Sequence, residues 1–290
     1  MFIVDAHEDI AYNAVHFGRD VRRSVAETRG HEAGQATHEE GPLTGTSELA
    51  MLGLPEHRRG GVGLVFATIF VPPGDREAMA TDGQAQLGYY QRLAHEGRGV
   101  RIVRSRRALA ALRRDWEAAP TPEGRPVGLL LLMEGADALR DPSELAAWYR
   151  SGLRIVGPAW HGTRYAGGTR APGPLTDLGR ALLDEMQRLG IILDVSHLAE
   201  ASFWEALDRF SGAVIASHAN CSAYVPTDRH LSDVMIRALA ARDAVIGTVL
   251  ANQFLVGGWK RGDPLPHLDA VVRHIDRICQ LTGTARHCAL

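Results

Sequence analysis

Five side chains able to hold a divalent cation each close an apolar, β-branched run. They are His7 and Asp9 in FIVDAHED, Glu134 in VGLLLLMEG, His197 in IILDVSH and His218 in AVIASHA. Imidazole and carboxylate donors suit Zn²⁺, with Mn²⁺ or Co²⁺ also acceptable, and the lack of cysteine among them argues against a structural zinc. Glu134 can offer one oxygen to each of two cations, which leaves His7 and Asp9 to one ion and His197 and His218 to the other. Two such ions acidify a water held between them and polarise a carbonyl, the chemistry of amide, ester or lactone hydrolysis. Taken singly, each residue reads as a rim histidine or a helix-capping carboxylate. Their repetition at successive strand ends is what points to metal.

A hydrolase also needs a donor for the developing oxyanion and a hold on its substrate. His161, after the run IVGPAW, suits the first task. Arg229 in PTDRHLSD suits the second, because a guanidinium can grip a carboxylate bidentately. The competing reading of Arg229 is a surface ion pair with Asp228 or Asp233.

These side chains converge only if the runs before them are parallel strands opening at one mouth. Strand-like runs at 2–7, 62–71, 127–133, 153–159, 191–196, 213–217 and 244–250 alternate with helical stretches such as 178–189 and 201–209. In the first helix Leu178, Leu182, Met186 and Leu189 form one stripe, Thr176 offers an N-cap and Gly190 a stop. Seven strands count toward an α/β fold of the (β/α)₈ TIM-barrel type, with the eighth expected to begin near 287–290. The expectation is one catalytic barrel domain over 1–290 whose last βα unit is incomplete there. A doubly wound open sheet would not gather ligands from so many strands. Segment 19–49, polar and holding His31 and His38, reads as a loop over the mouth, and Gly/Pro-rich 160–175 as a second loop on that face.

With 290 residues, 45% of them hydrophobic, and a net charge of −2, the chain can bury a large core and carries no basic field for nucleic acid or an anionic membrane. The basic run 97–116 lacks interleaved aromatics and reads as a solvated helix face. Three cysteines without a CxxC pair suit a reducing compartment. No cleavable leader is visible, and the longest apolar run, 127–133, is too short to cross a bilayer. A soluble cytoplasmic protein is expected.

The stretches VDAHED, LPEHRRGGVGLVFATIFVP, LLMEGADAL, GPLTDLGRALLDEMQRLGIILDVSHLAEASFWEAL and VIASHANCSAYVPTDRHLSD resemble the membrane (renal) dipeptidase family, the M19 metallopeptidases. The resemblance implies His7 and Asp9 on one zinc, Glu134 bridging, and His197 and His218 on the other. It implies His161 at the scissile carbonyl and oxyanion, and Arg229 on the substrate's terminal carboxylate. Two zinc ions, a small dipeptide as substrate and a homodimer follow from it. The chain departs from the family pattern at Arg229-His230, usually Arg-Asn, and at Met186-Gln187, usually Met-Asn. The family's eighth strand continues into a Gly-Ser-Asp type of motif carrying a proton-shuttling Asp, and residue 290 falls short of it. The leading expectation is a zinc dipeptidase working through a hydroxide between its metals. Its rivals are another amidohydrolase-type enzyme acting on a lactone, β-lactam or N-acyl amino acid, and a non-catalytic metal-binding relative.

Overall fold

The computed structural model describes residues 1–33, 49–97 and 99–289, so His38 lies outside the described residues. They form two compact units, Met1–Met133 with Arg150–Arg154 and Glu134–Tyr149 with Ile155–Leu290.

In the first unit, β1 (Ile3–Glu8) runs parallel to β2 (Val62–Phe70), with Ile3 opposite Val62 and Glu8 opposite Ala67. Next to β2 lies β4 (Val127–Glu134), and β3 (Val100–Ile102) pairs in parallel with its first half. The unbroken apolar run of β4 follows from burial on both faces: Leu129, Leu131, Leu132 and Met133 are fully enclosed. The sequence patterning misses β3, a short strand inside the basic run. After it, helix Arg106–Ala118 buries Leu112 and Trp116 and leaves Arg106, Arg107, Arg113 and Arg114 in solvent, as the solvated-face reading requires. Segment 19–49 is not loop throughout. A helix, Val25–Glu32, starts on a capping box in which Ser24 and Glu27 each accept the other's backbone N–H.

The second unit holds β5 (Leu153–Gly157), β6 (Ala166–Gly168), β7 (Ala171–Leu175), β8 (Ile192–Asp194), β9 (Val214–Ile215), β10 (Ile246–Gly247) and β11 (Cys288–Ala289). Parallel pairs run from β5 to β8 through Ile155 and Ile192, and from β8 to β9 through Leu193 and Val214. A parallel bridge joins Ala216 to Ile246, and β10 pairs with β11 through Ile246 and Cys288, where the eighth strand was expected to begin. Residues 160–175 are more ordered than a Gly/Pro-rich loop: β6 and β7 form an antiparallel hairpin with Arg170 at φ 60° in its turn.

Helix Asp177–Leu189 starts at Thr176, whose hydroxyl accepts the Gly179 N–H, and ends at Gly190. Its buried face is Gly179, Leu182, Leu183 and Met186, so the packed stripe is rotated from the expected one and Leu178 is 39% exposed. The reason is steric. A Cβ at Gly179 would stand 1.9 Å from the Tyr165 carbonyl oxygen, so the helix meets the hairpin along its glycine.

A similar close approach lies behind β9. A Cβ built on Gly247 would stand 2.0 Å from the carbonyl oxygen of Ser217. Gly247→Ala must displace one of the two backbones, with an expected loss of roughly 1–3 kcal/mol. Chemical denaturation of the two proteins measures it, and an unchanged midpoint would refute the contact.

Candidate metal centre

In the second unit three predicted ligands come together. Glu134 ends β4, where the chain turns away through Gly135 at φ 73°. His197 follows β8 and His218 follows β9, each at the carboxyl end of a parallel strand. Glu134 Oε1 lies 3.0 Å from His197 Nε2 and 3.1 Å from His218 Nε2, and the two Nε2 atoms are 3.0 Å apart. All three residues are buried. His197 reaches this position at φ 67°, a left-handed conformation uncommon for any residue but glycine. Strain of this kind is retained where the surroundings over-determine it, and sites are where it clusters.

Burial, reinforced by the nearby charge of Arg229, holds His197 well below the usual imidazole range. It is therefore neutral at pH 7, the form a metal requires. The far ring nitrogens are also engaged: His197 Nδ1 is 3.0 Å from Thr169 Oγ1, and His218 Nδ1 is 2.8 Å from Ser217 Oγ. Metal-ligating histidines characteristically have such partners on the other nitrogen. A buried carboxylate facing two imidazoles through their Nε2 atoms thus fits a divalent cation in donor type, charge and support.

In the first unit His7 and Asp9 meet at the end of β1, with Nε2 and Oδ1 3.7 Å apart. Asp9 is not on the strand. It caps helix Ile10–Phe17 at φ −81° and ψ 46°, and its Oδ1 accepts the Thr68 hydroxyl at 2.5 Å. Between these two, Glu8 points into the core, where both carboxylate oxygens lie 2.8 and 2.9 Å from His57 Nε2. Sequence reasoning missed this pair because nothing in LPEHRR announces a buried histidine.

His161 follows β5 and is half-buried. The ring of its neighbour Trp160 stands 6.2 Å from His161 and 6.2 Å from His197. Arg229 is no surface residue, being 4% exposed. Asp233 pairs with Arg277, and Asp228 accepts the Arg170 N–H, so neither forms the ion pair considered for it. Arg229 Nη2 donates to the His218 carbonyl at 2.6 Å, while Nε and Nη1 are buried without a hydrogen-bond partner among the described residues. Burial pushes the guanidinium down to about 10, still charged at neutral pH. Two desolvated N–H groups on a cation are costly unless an anion meets them.

His230, where the family pattern has Asn, holds structure. Its Nδ1 is 2.6 Å from Thr227 Oγ1 and its Nε2 is 3.2 Å from the Phe254 carbonyl, which also accepts from Asn220. The Phe254 ring in turn lies 5.5 Å from the Arg229 guanidinium carbon.

Burial first, then the Arg229 charge, pushes His230 down to about 4 from 6.5. Between those values the unfolded chain takes up a proton that the native protein refuses, so stability falls as pH drops through the window. The loss is on the order of 2–3 kcal/mol. Urea unfolding at pH 7 and pH 4.5 should show a smaller acid loss for His230→Asn than for the parent. Equal losses would exclude His230 as the source.

Among known proteins, the membrane dipeptidase family (peptidase family M19) matches residues 1–290. A protein named for the pqqA 5′ region of Klebsiella pneumoniae is 30% identical over 171 residues, 56% of this chain and 63% of that protein. The chain therefore spans less than two thirds of that relative's length. A Rhodobacter sphaeroides metallo peptidase, liganded with a phosphinate mimic of the dipeptide L-Ala-D-Ala, superposes at a TM-score of 0.76 and 24% identity, covering 98% of this chain and 83% of that one. The dipeptidase AC, an M19 metallo peptidase, gives a TM-score of 0.76 at 24% identity, covering 98% of this chain and 82% of its own. Two such superpositions show a common α/β fold. Matched from its first residue to its last, the chain belongs to the membrane dipeptidase family, peptidase family M19.

Proposed function

We propose that the protein is a metal-dependent dipeptidase, built as a (β/α)₈-type barrel and cleaving the peptide bond of a dipeptide with a free carboxyl terminus. The observation that carries this reading is a buried, charged Arg229 with two nitrogens, Nε and Nη1, unpartnered among the described residues, and Nη2 bonded to the backbone of His218 in the Glu134–His197–His218 cluster. A free α-carboxylate matches such a buried cation in charge and in hydrogen-bonding capacity. The dipeptide mimic bound by the Rhodobacter sphaeroides relative is of the same substrate class.

In this reading Glu134, His197 and His218 would hold one divalent ion, and His7 and Asp9 would hold a second. Support comes from the 3.0–3.1 Å cluster in one unit and the 3.7 Å His7–Asp9 approach in the other. Zinc is the preferred metal for this imidazole and carboxylate set. When bound, such ions supply Lewis acidity toward a peptide carbonyl and lower the pKa of water.

The chain's own residues do the rest. Arg229 anchors the substrate carboxylate and so fixes which carbonyl faces the cluster. His161, with a ring N–H, steadies the oxygen on which negative charge develops. Phe254, beside Arg229, offers an apolar wall to the side chain of the residue that carries the carboxylate.

The test is metal content together with dipeptide turnover, before and after chelation. Bound zinc and activity that is lost on chelation and restored by Zn²⁺ are expected. Arg229→Ala should lower kcat/KM for a dipeptide about 10²–10³-fold, mostly through KM, since hydrogen bonds to charged groups contribute roughly 1.5–3 kcal/mol each. A C-terminally amidated dipeptide or a lactone should be almost indifferent to that change. Turnover of uncharged substrates with no dipeptide cleavage would redirect the reading to another hydrolase, and absence of bound metal would end it.

A further inference from the structure

Behind His218 lies a hydrogen-bond chain whose direction can be worked out proton by proton. Asp194 Oδ1 accepts two backbone N–H groups, from Ser196 and Ser217, each at 3.0 Å. Its other oxygen, Oδ2, accepts the hydroxyl of Ser217. A hydroxyl has one hydrogen, and that of Ser217 is thereby spent. Toward His218 Nδ1, at 2.8 Å, Ser217 can offer only a lone pair. Ser196 completes the inventory: its Oγ accepts the His218 backbone N–H at 3.1 Å and can give its own hydrogen to Ser217 Oγ at 3.3 Å. Asp194, Ser196 and Ser217 are all buried, so water does not compete for these groups.

We propose that Asp194, acting through Ser217, is a positioning residue that keeps a hydrogen on His218 Nδ1 and so presents Nε2 as a lone pair toward the cluster with Glu134 and His197. This rests on the metal-centre reading for what Nε2 holds, but not for where the hydrogen sits. Among the described residues His197 has no such directed chain. Its partner Thr169 Oγ1 can either give or accept.

The chain makes an uncommon prediction for an isosteric change. In Asp194→Asn the oxygen must still face the two backbone N–H groups, because they can only donate. The amide NH₂ is then forced toward Ser217 Oγ and becomes the donor. Ser217 no longer gives its hydrogen away and turns it on His218 Nδ1, which must accept. The imidazole hydrogen moves to Nε2, where it blocks coordination.

Two readouts test this without relying on turnover. Long-range ¹H–¹⁵N correlation spectra of metal-free protein labelled at histidine report which ring nitrogen carries hydrogen. Competition with a chromophoric chelator reports zinc affinity. The parent and Ser217→Thr, which keeps the hydroxyl, should show a protonated Nδ1. Asp194→Asn should show an unprotonated Nδ1 and zinc affinity lower by about 10–100-fold. Should Asp194→Asn fail to fold, Ser217→Ala decides. With no acceptor left at Nδ1, the hydrogen should shift to Nε2, toward Glu134. An unprotonated Nδ1 in the parent, or an Nδ1 that keeps its hydrogen in the altered protein, overturns the proposal. A parent with the expected Nδ1 pattern that binds no zinc would uphold it and remove the metal-centre reading instead.

Discussion

Lone pairs in a dry interior repel, and this protein assembles them deliberately. A Glu134 oxygen and the Nε2 atoms of His197 and His218 stand within 3.1 Å of one another, buried. In a low-dielectric setting such a cluster is tolerable only with positive charge, a proton or a cation, among its members. Much of the second unit holds that arrangement in place. A left-handed backbone at His197 aims one ring, and hydroxyls stand behind both. Burial then keeps His197 neutral, so that a proton does not take the place of a metal.

The scaffolding obeys the same constraint at the backbone level. A side chain at Gly247 would collide with the carbonyl of Ser217, the residue whose hydroxyl meets both Asp194 and His218. The Ala219 N–H reaches the Gly247 carbonyl at 2.7 Å, and the Gly247 N–H reaches that of Ala216 at 2.8 Å, tying the segment around His218 from both sides. Parallel strands supply the convergence, but close backbone contact supplies the tolerance of tenths of an ångström that ligands need.

The parts of this architecture that were legible beforehand are those in which one residue type repeats. Each of the seven apolar runs holds a described strand, and those ending at Glu134, His197 and His218 located the three ligands that come together in the second unit. The helix signals at Thr176 and Gly190 were read correctly because capping is local. What escaped was non-local or too short. β3 is three residues inside a basic run, and the hairpin of β6 and β7 hides among glycines and prolines. Asp194 and Ser217 were visible in LDVSH and IASH as neighbours of ligands, yet their role depends on contact across 23 residues. Glu8 and His57 meet across 49. Arg229 shows the limit in another way. Its sequence context allowed both a carboxylate clamp and a surface ion pair with Asp228 or Asp233, and only tertiary packing, which buries it, removes the surface reading.

That burial has a thermodynamic corollary. The guanidinium proposed to meet a substrate carboxylate also donates, through Nη2, to the carbonyl of His218. In that reading the anion seat and the ligand cluster are joined by this hydrogen bond. Linkage then works in both directions: whatever a cation in the cluster does to the affinity for a carboxylate, the carboxylate does equally to the affinity for the cation. In the proposed reading the two occupants would be each other's effectors, across a single hydrogen bond rather than across a domain.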